Sequence, residues 1–463
     1  MKKVRIIGAG LAGAEAASQC ARRGVPVDLF EMRPVRMTPA HQTGEFAELV
    51  CSNSLKSDSE NTAPWLLKEE MRRAGSSLMD IARTTSVPAG HALAVDRAEF
   101  SRRATEAISA ERLIHVVREE VTRIDDLDIN VIATGPLTSD ALAGEIERLS
   151  APSASEKVSG SDNALGTAFG PRQLFFYDSI SPIVEADSID MSKAYMAARY
   201  DKGSADYINC PMSKAEYDVF YDALVSAESV AGKDWEKLNY FESCLPIEEI
   251  ARRGRDTLRF GPMKPVGLKD PRTGRLPYAV VQLRQENLRA DSYNLVGFQN
   301  HLRFGDQARV LNLIPGLEHA RVLRYGQIHR NTYINSPTLL APTLQMKAHP
   351  QVLFAGQICG VEGYVESIAT GLMAGIHAAA LAIGSAPLPP PRATAFGSLV
   401  HYITQADARN FQPANITFDL LPPLETRVRD RKERHRLQCE LALREFENWL
   451  DRASILQSPG GRE

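Results

Sequence analysis

Cysteine is scarce in this chain: six cysteines are scattered over 463 residues, and no two of them form a C-x-x-C pair. This argues against a disulfide framework and against a metal site, and it favours a reducing, cytoplasmic location. Charge of one sign is not in large excess either, since the formal net charge is −3. Such a surface does not attract nucleic acid as a whole, so nucleic-acid binding needs a local basic patch.

Long hydrophobic runs are few. One apolar stretch, residues 361–383, carries Glu362, Glu366 and His377. A membrane-spanning helix needs about 20 predominantly apolar residues and rarely holds ionisable groups. We therefore predict a buried helix here and no membrane attachment.

The first strand-turn-helix carries a dinucleotide-binding fingerprint. An apolar strand from Val4 leads into the G-x-G-x-x-G spacing, and a second strand ends on Glu31, which can accept hydrogen bonds from a ribose. In this motif the glycines allow a tight turn, a close approach of pyrophosphate to the backbone, and close packing of helix on strand. The residues predicted to hold the cofactor here are Gly8, Ala9, Gly10, Leu11, Ala12, Gly13 and Glu31.

A second strand-turn-helix, near residues 351–378, favours FAD over NAD as the resident cofactor. Flavoproteins of the glutathione-reductase type use such a unit to direct a helix N-terminus at the flavin, where the helix dipole stabilises the reduced anion. The alternative is a tight turn in an ordinary βα unit. No second fingerprint follows a strand elsewhere, so NAD(P)H is expected to reach the flavin only transiently. The further cofactor residues predicted are Thr134, Gly135, Gly356, Gly360, Val361, Glu362 and Gly363.

The alternation of strand and helix predicts an α/β fold, a glutathione-reductase-like FAD-binding Rossmann domain that is discontinuous in sequence. We expect this domain to comprise residues 1–173 and 326–463, including a charged C-terminal helix over 425–450. An inserted, aromatic-rich α+β domain occupies 174–325 and is predicted to bind the substrate. Residues 150–167 are small, polar and aperiodic, which predicts a flexible surface loop.

Four longer strings are more specific than any of these patterns: residues 47–57 (AELVCSNSLKS), 207–217 (YINCPMSKAEY), 293–299 (YNLVGFQ) and 329–337 (HRNTYINSP). Together they closely resemble the folate- and FAD-dependent tRNA uracil-5-methyltransferases, the TrmFO family, over nearly the whole chain. The loop near 150–167 is longer than is usual in that family.

The resemblance implies C5-methylation of the T-loop uridine, position 54 of tRNA, to 5-methyluridine. Methylenetetrahydrofolate would donate the carbon, FAD would act as carrier and reductant, and NAD(P)H would supply electrons. A cysteine thiolate suits the addition to uracil C6 that makes C5 nucleophilic. By resemblance, Cys210 is assigned as this nucleophile, with Lys214 nearby, and Cys51 as an assisting residue. The alternative is that either is a small packed residue, as we interpret Cys20, Cys244, Cys359 and Cys439.

For the tRNA partner, residues 252–275 are the most basic stretch, with eight positive and two negative side chains. Mobile basic loops could follow a phosphate backbone there, and the alternative is an ordinary solvated face. Arg330 and Asn331 are candidates for pterin or base contacts, or for a structural turn. The tRNA-binding residues predicted are Arg252, Arg253, Arg255, Arg259 and Lys264.

Three other possibilities stay open at this stage. One is a flavin-dependent oxidoreductase acting on a small molecule. Another is a folate flavoprotein that modifies the wobble uridine, although such enzymes are considerably longer and carry an extra helical C-terminal domain. The third is a non-catalytic flavin-binding scaffold, in which Cys51 and Cys210 would be replaceable without loss of function. The sequence does not predict the oligomeric state.

Overall fold

The computed structural model describes residues 2–125, 127–150, 173–201, 204–230 and 245–455. Most of the predicted loop over 150–167, and Cys244, lie outside these residues.

A five-stranded parallel sheet forms the centre of the first domain, in the order β16-β7-β1-β2-β6. Each strand is short and almost entirely apolar because helices cover both faces of the sheet. The strands are β1 Val4–Ile7, β2 Val27–Phe30, β6 Ile114–Val117, β7 Ile129–Ile132 and β16 Val352–Phe354. The C-terminal β16 pairs with β7, in parallel, so the first domain is built from both ends of the chain.

Eight longer helices belong to this domain. They are α1 Leu11–Arg22, α2 Ala63–Arg73, α3 Ser77–Thr84, α4 Arg97–Ala110, α5 Asp140–Leu149, α11 Tyr364–Ala382, α12 Ala395–Gln405 and α13 Arg431–Ile455. Helix α4 begins after Asp96, the N-cap residue, whose side chain accepts from the Glu99 backbone N–H at 3.0 Å. The charged C-terminal helix is also present, about five residues later than predicted.

Helix α11 contains the apolar stretch noted in the sequence. Its length and composition would allow it to cross a membrane, but 89% of its apolar window is buried inside the protein. It packs closely on α1, because a Cβ on Gly371 would lie 2.2 Å from the Ala12 carbonyl oxygen and one on Gly375 would lie 2.5 Å from that of Ala16. The predicted buried helix is confirmed.

A small antiparallel sheet, in the order β3-β5-β4, extends the first domain towards the second. Its strands are β3 Ser54–Ser57, β4 Ser86–Val87 and β5 Ala92–Val95. The 47–57 string leads into β3, which carries a register shift between Ser54 and Ser57.

The second domain is a six-stranded antiparallel sheet with its own hydrophobic core, in the order β10-β11-β12-β13-β9-β14. Its strands are β9 Ile183–Glu185, β10 Tyr195–Ala197, β11 Tyr207–Met212, β12 Ala279–Gln285, β13 Ser292–Leu295 and β14 Val322–Arg324. Its helices are α6 Lys214–Ser226, α7 Ile247–Arg252, α8 Thr257–Phe260 and α9 Phe304–Leu311. All of these elements fall between residues 174 and 325, so the domain is inserted into the first and is α+β.

A two-stranded antiparallel ribbon joins the domains. It is formed by β8 Gln173–Ser179 and β15 Ile328–Ile334, and the short helix α10 Ser336–Leu339 follows it. The 329–337 string therefore lies at the return of the chain into the first domain.

Candidate cofactor cleft and active site

One large cleft opens at the carboxyl ends of the parallel strands, where α/β proteins bind nucleotides. Its cavity volume is about 300 Å³. Residues from the fingerprint, from the turn after β7, from the β3 region and from the start of α11 line it. The predicted cofactor residues in its wall are Gly8, Gly10, Leu11, Ala12, Glu31, Thr134, Gly135, Gly356, Glu362 and Gly363.

The fingerprint glycines are required for three different reasons. Gly8 has φ +97°, and a Cβ there would lie 2.7 Å from the Ala133 carbonyl oxygen. A Cβ on Gly13 would lie 1.7 Å from the Gly8 carbonyl oxygen, so helix and strand could not pack. A Cβ on Gly10 would meet no atom within 4 Å, because it would project into the open space of the cleft. This is the cradle that a pyrophosphate needs.

Glu31 lies in the cleft wall, but the protein itself already engages both of its carboxylate oxygens. Oε2 accepts from the Ala9 backbone N–H at 3.0 Å, and both oxygens accept from the buried Arg33 guanidinium at 3.0 and 3.1 Å. Burial raises the pKa of Glu31, but hydrogen bonds and the charge of Arg33 outweigh it and hold the pKa below its ordinary value. Oε1 also accepts from the Arg33 backbone N–H at 3.0 Å. The carboxylate is thus fixed as an anion, and its hydrogen bonds tie the end of β2 to the fingerprint turn.

Four predicted cofactor residues lie behind the lining rather than in it: Ala9, Gly13, Gly360 and Val361. Gly360 illustrates why. It has φ +84°, and a Cβ there would lie 2.4 Å from the ring of Phe411, so this glycine is needed for packing. These four residues shape the wall from behind, and a direct contact of any of them with the cofactor stays a prediction.

The start of α11 faces the cleft. Gly363 is its N-cap with φ +114°, and no side chain caps the helix. Gly363, Tyr364 and Ser367 all line the cleft. An uncapped helix N-terminus presents free N–H groups and the positive end of the helix dipole.

Cys51 lines the cleft beside this helix, in a partly exposed position. The Tyr364 hydroxyl oxygen accepts from the backbone N–H groups of Cys51 at 2.7 Å and Ser52 at 3.2 Å. Burial raises the pKa of Tyr364, and the neighbouring Cys51 adds to that rise. Two guanidinium groups, Arg97 and Arg324, also interact electrostatically with Cys51. Positive charges near a thiol favour its nucleophilic thiolate.

Contacts with the second domain hold the Cys51 segment in place. The fully buried Asn53 donates to the Gln285 carbonyl oxygen at 2.9 Å and accepts from Arg284 Nε at 2.9 Å. Arg97 pairs with Glu286 at 3.0 Å. The specificity of the 47–57 string thus has a physical reason, because its polar side chains join the two domains at the cleft.

Cys210, assigned by resemblance as the nucleophile, is not brought to the cleft. Cys210 lies in β11 with 0% exposure, within the core of the second domain, and does not line the cleft. Burial raises the pKa of its thiol to about 12. Lys214, expected to assist it, instead pairs with Asp218 at 2.7 Å on an exposed helix surface. The string around Cys210 is explained by Asn209, whose buried amide donates to three backbone carbonyl groups.

The basic stretch over 252–275 is more neutralised than its composition suggests. Of the predicted tRNA-binding residues, Arg252 pairs with Glu249, Arg255 with Asp218 and Asp222, and Arg259 with Asp256. Arg253 is exposed. Lys264, Lys269 and Arg275 are exposed and form no ion pair with any residue that the structure describes. Free positive charge is therefore concentrated on residues 264–275.

Asn331 lies in β15 with 0% exposure, and neither polar atom of its side-chain amide has a hydrogen-bond partner among the side chains and backbone that the structure describes. It does not line the cleft. The side chain of Arg330 lies outside the described part of the chain. A contact of either residue with pterin or base stays a prediction.

Four residues at or near the cleft were not singled out from the sequence as site residues: Lys56 and Tyr364, which line it, and Arg97 and Arg324, which interact with Cys51. Lys56 and Tyr364 lie within or beside segments that were recognised, so closer attention to their neighbours could have found them. Arg97 and Arg324 carry no local signal, because only tertiary packing brings them near Cys51; Arg97 donates to the carbonyl groups of Leu49 and Val50.

Comparison with known proteins agrees with this geometry. A family model described as glucose inhibited division protein A matches residues 3–386. A relative from Koribacter versatilis, named methylenetetrahydrofolate--tRNA-(uracil-5-)-methyltransferase TrmFO, is 71% identical over 98% of this chain and 99% of its own. A relative of the same name from Solibacter usitatus is 60% identical over 97% and 98% of the two chains. The chain belongs to the TrmFO family.

Among solved structures, Aquifex aeolicus GidA resembles this TrmFO-family chain with a TM-score of 0.68 at 16% identity. The match covers 98% of this chain and 73% of the GidA chain. At this identity the likeness concerns the fold, and it supports the predicted FAD-binding Rossmann-type architecture.

Proposed function

We propose that this protein transfers a one-carbon unit from methylenetetrahydrofolate to C5 of a tRNA uridine, with FAD as carrier and reductant and NAD(P)H as electron source. The observation that carries the proposal is the position of Cys51, a partly exposed thiol in the wall of a dinucleotide cleft that interacts electrostatically with the guanidinium groups of Arg97 and Arg324.

The cleft fits FAD. Gly10 leaves the space of a Cβ open for the pyrophosphate, Glu31 lies in the cleft wall at the end of β2, and the first residues of α11 line the same cleft. When bound, the flavin supplies two-electron redox chemistry and carries the carbon. The protein holds it between the two walls of the cleft and excludes water from the reacting atoms.

We propose Cys51 rather than Cys210 as the nucleophile. Addition of the Cys51 thiolate to uracil C6 forms a C–S bond and moves the C5=C6 electron pair onto C5 and O4 as an enolate. C5 would then bond to the one-carbon unit, and loss of the C5 proton to a base would expel the nitrogen carrier and leave an exocyclic methylene on C5. A hydride equivalent from the reduced flavin would convert this methylene to the methyl group as the C–S bond breaks and the Cys51 thiolate leaves. Arg97 and Arg324 stabilise the thiolate at both stages, and the Tyr364 hydroxyl positions the backbone of Cys51.

For tRNA binding we propose the exposed surface around residues 260–275. Lys264, Lys269 and Arg275 supply positive charge, and the ring of Phe260, 81% exposed, offers a stacking surface. Cations that follow phosphates and aromatic rings that stack on unpaired bases are the common means of binding RNA loops. We propose the T-loop as the target and the cytoplasm as the place of reaction.

One experiment tests the function. Purified protein is incubated with an unmodified tRNA transcript, isotope-labelled methylenetetrahydrofolate and NADPH, and the digested RNA is analysed by mass spectrometry. We expect labelled 5-methyluridine at the T-loop and none at the wobble position. Label that appears only at the wobble position, or methylation that requires S-adenosylmethionine instead, would refute the proposal, as would salt-independent tRNA binding.

A further inference from the structure

Lys56 is a cleft residue that neither the fingerprint nor the nucleophile explains. Its side chain lines the cleft and is 29% exposed. Its backbone has φ +61°, a conformation that lysine rarely adopts. Such strain persists only where the surroundings hold it, and it is concentrated at functional sites.

Glu366 is the group that holds this lysine. Its carboxylate lies in the first turn of α11 with 0% exposure, and Oε1 accepts from Lys56 Nζ at 2.7 Å and from the Ile416 backbone N–H at 3.0 Å. Lys56 Nζ also contacts the Glu362 carbonyl oxygen at 3.4 Å, immediately before the helix. A Cβ on Gly363 would lie 2.6 Å from Lys56 Nζ and 2.4 Å from Glu366 Oε2. The glycine therefore leaves just enough room for the ion pair.

The two charges of the pair are not equally placed. The carboxylate is completely buried and does not line the cleft, whereas the ammonium does. The positively charged member of the pair therefore faces the cleft. It lies in the same wall as the N-terminus of α11, which carries the positive end of the helix dipole. Both fields have the same sign and act on whatever group is bound there.

We propose that Lys56, positioned by Glu366, stabilises the reduced, anionic form of the bound flavin. Hydride transfer from NAD(P)H gives the flavin two electrons and one proton and leaves NAD(P)⁺, so the bound flavin gains one negative charge. A fixed ammonium at the cleft wall binds this product more tightly than the neutral oxidised flavin. The proposal rests on the FAD site proposed above.

The test measures the midpoint potential of FAD on the holoprotein by dye equilibration, together with its affinity for sulfite, which forms an anionic flavin adduct. Lys56→Met is expected to weaken the preference for reduced over oxidised FAD about tenfold, which corresponds to a potential about 30 mV lower for a two-electron couple. Sulfite affinity falls by a similar factor. Lys56→Arg keeps the positive charge and should therefore keep most of the midpoint potential and most of the sulfite affinity of the unaltered protein. Lys347→Met, which removes an exposed lysine outside the cleft, changes neither.

Glu366→Gln tests the positioning role. The amide keeps an acceptor for the Ile416 N–H but releases the ammonium, so the potential should fall towards that of Lys56→Met. A rise of the midpoint potential in Glu366→Gln would mean that Glu366 only neutralises the charge of Lys56, and this result would refute the positioning role. A purely structural ion pair would lower thermal stability in Lys56→Met and leave potential and sulfite affinity unchanged, which would overturn the proposal. If the unaltered protein binds no FAD, the proposed function itself fails.

Discussion

The contrast between Cys51 and Cys210 gives the sharpest prediction. With a pKa of about 12, roughly 3 in 100,000 Cys210 thiols are ionised at pH 7.5, against about one in ten for an ordinary thiol. The thiolate fraction is thus about 3000 times smaller. The greater intrinsic nucleophilicity of a more basic thiolate recovers about 40-fold of this, if reactivity rises with pKa with a slope near 0.45. The reactivity expected of the Cys210 thiol is therefore still on the order of 100-fold below that of an ordinary thiol. Its 0% exposure lowers the reactivity further, because the substrate cannot reach it.

Cys51→Ala is therefore expected to lower kcat by about 1000-fold or more, because the covalent step is lost. It should change the free energy of unfolding by less than about 0.5 kcal/mol, as is usual for a partly exposed side chain. Cys210→Ala should keep kcat within about twofold and lower the free energy of unfolding by about 1–2 kcal/mol, because it removes buried volume from a packed core.

Release of tritium from tRNA labelled at uracil C5 measures the enolate-forming step directly, and urea unfolding measures stability. Flavin absorbance confirms that each variant retains its cofactor. The reasoning is refuted if a folded, flavin-bound Cys210→Ala protein releases no tritium, or if Cys51→Ala releases it at the normal rate.

Three further predictions concern the cofactor cradle, the RNA surface and the effect of acid. Gly10→Ala should fold with an unchanged Tm but bind FAD at least tenfold more weakly, because its Cβ enters only the cleft. Gly13→Ala should not yield folded protein, because its Cβ would collide with a backbone carbonyl group. Measurements of flavin content and of thermal unfolding distinguish the two outcomes. Lys264→Ala should reduce the magnitude of the slope of log K for tRNA binding against log salt concentration by about 0.7–0.9. Arg255→Ala should leave this slope nearly unchanged, because the Arg255 charge is already paired with two carboxylates. Equal slopes for the two variants would contradict the assigned surface. The pKa of Glu31 is lower in the folded protein than its ordinary value of 4.5, so its stabilising effect is present above that value and is lost as the pH falls through the folded pKa. Glu31→Gln should therefore lower the free energy of unfolding by about 3 kcal/mol at pH 7, and the variant should lose less stability on acidification than the unaltered protein. Parallel curves of urea midpoint against pH for the two proteins would contradict this.

The cofactor cradle could be predicted from the sequence because its determinants are local. Gly8, Gly10 and Gly13 lie within one strand-turn-helix, and their spacing alone dictates where a backbone can approach a phosphate. The same is true of α11, whose apolar stretch with its few ionisable residues indicated a buried helix. The strings that indicated the family also have structural roles: the 47–57 string joins the two domains, and Asn209 of the 207–217 string fixes the backbone within the second domain.

The reactive centre could not be predicted in the same way, because its partners are distant along the chain. Tyr364 is 313 residues from Cys51, and Glu366 is 310 residues from Lys56. The sequence shows that a thiol and a lysine are present, and it fixes the glycine spacing, the periodicity of the helices and the family. Whether a thiol is ionised or buried, and whether an arginine is free or neutralised by a carboxylate from another helix, depends on burial and on neighbouring charges, and these arise only when distant segments of the chain pack together.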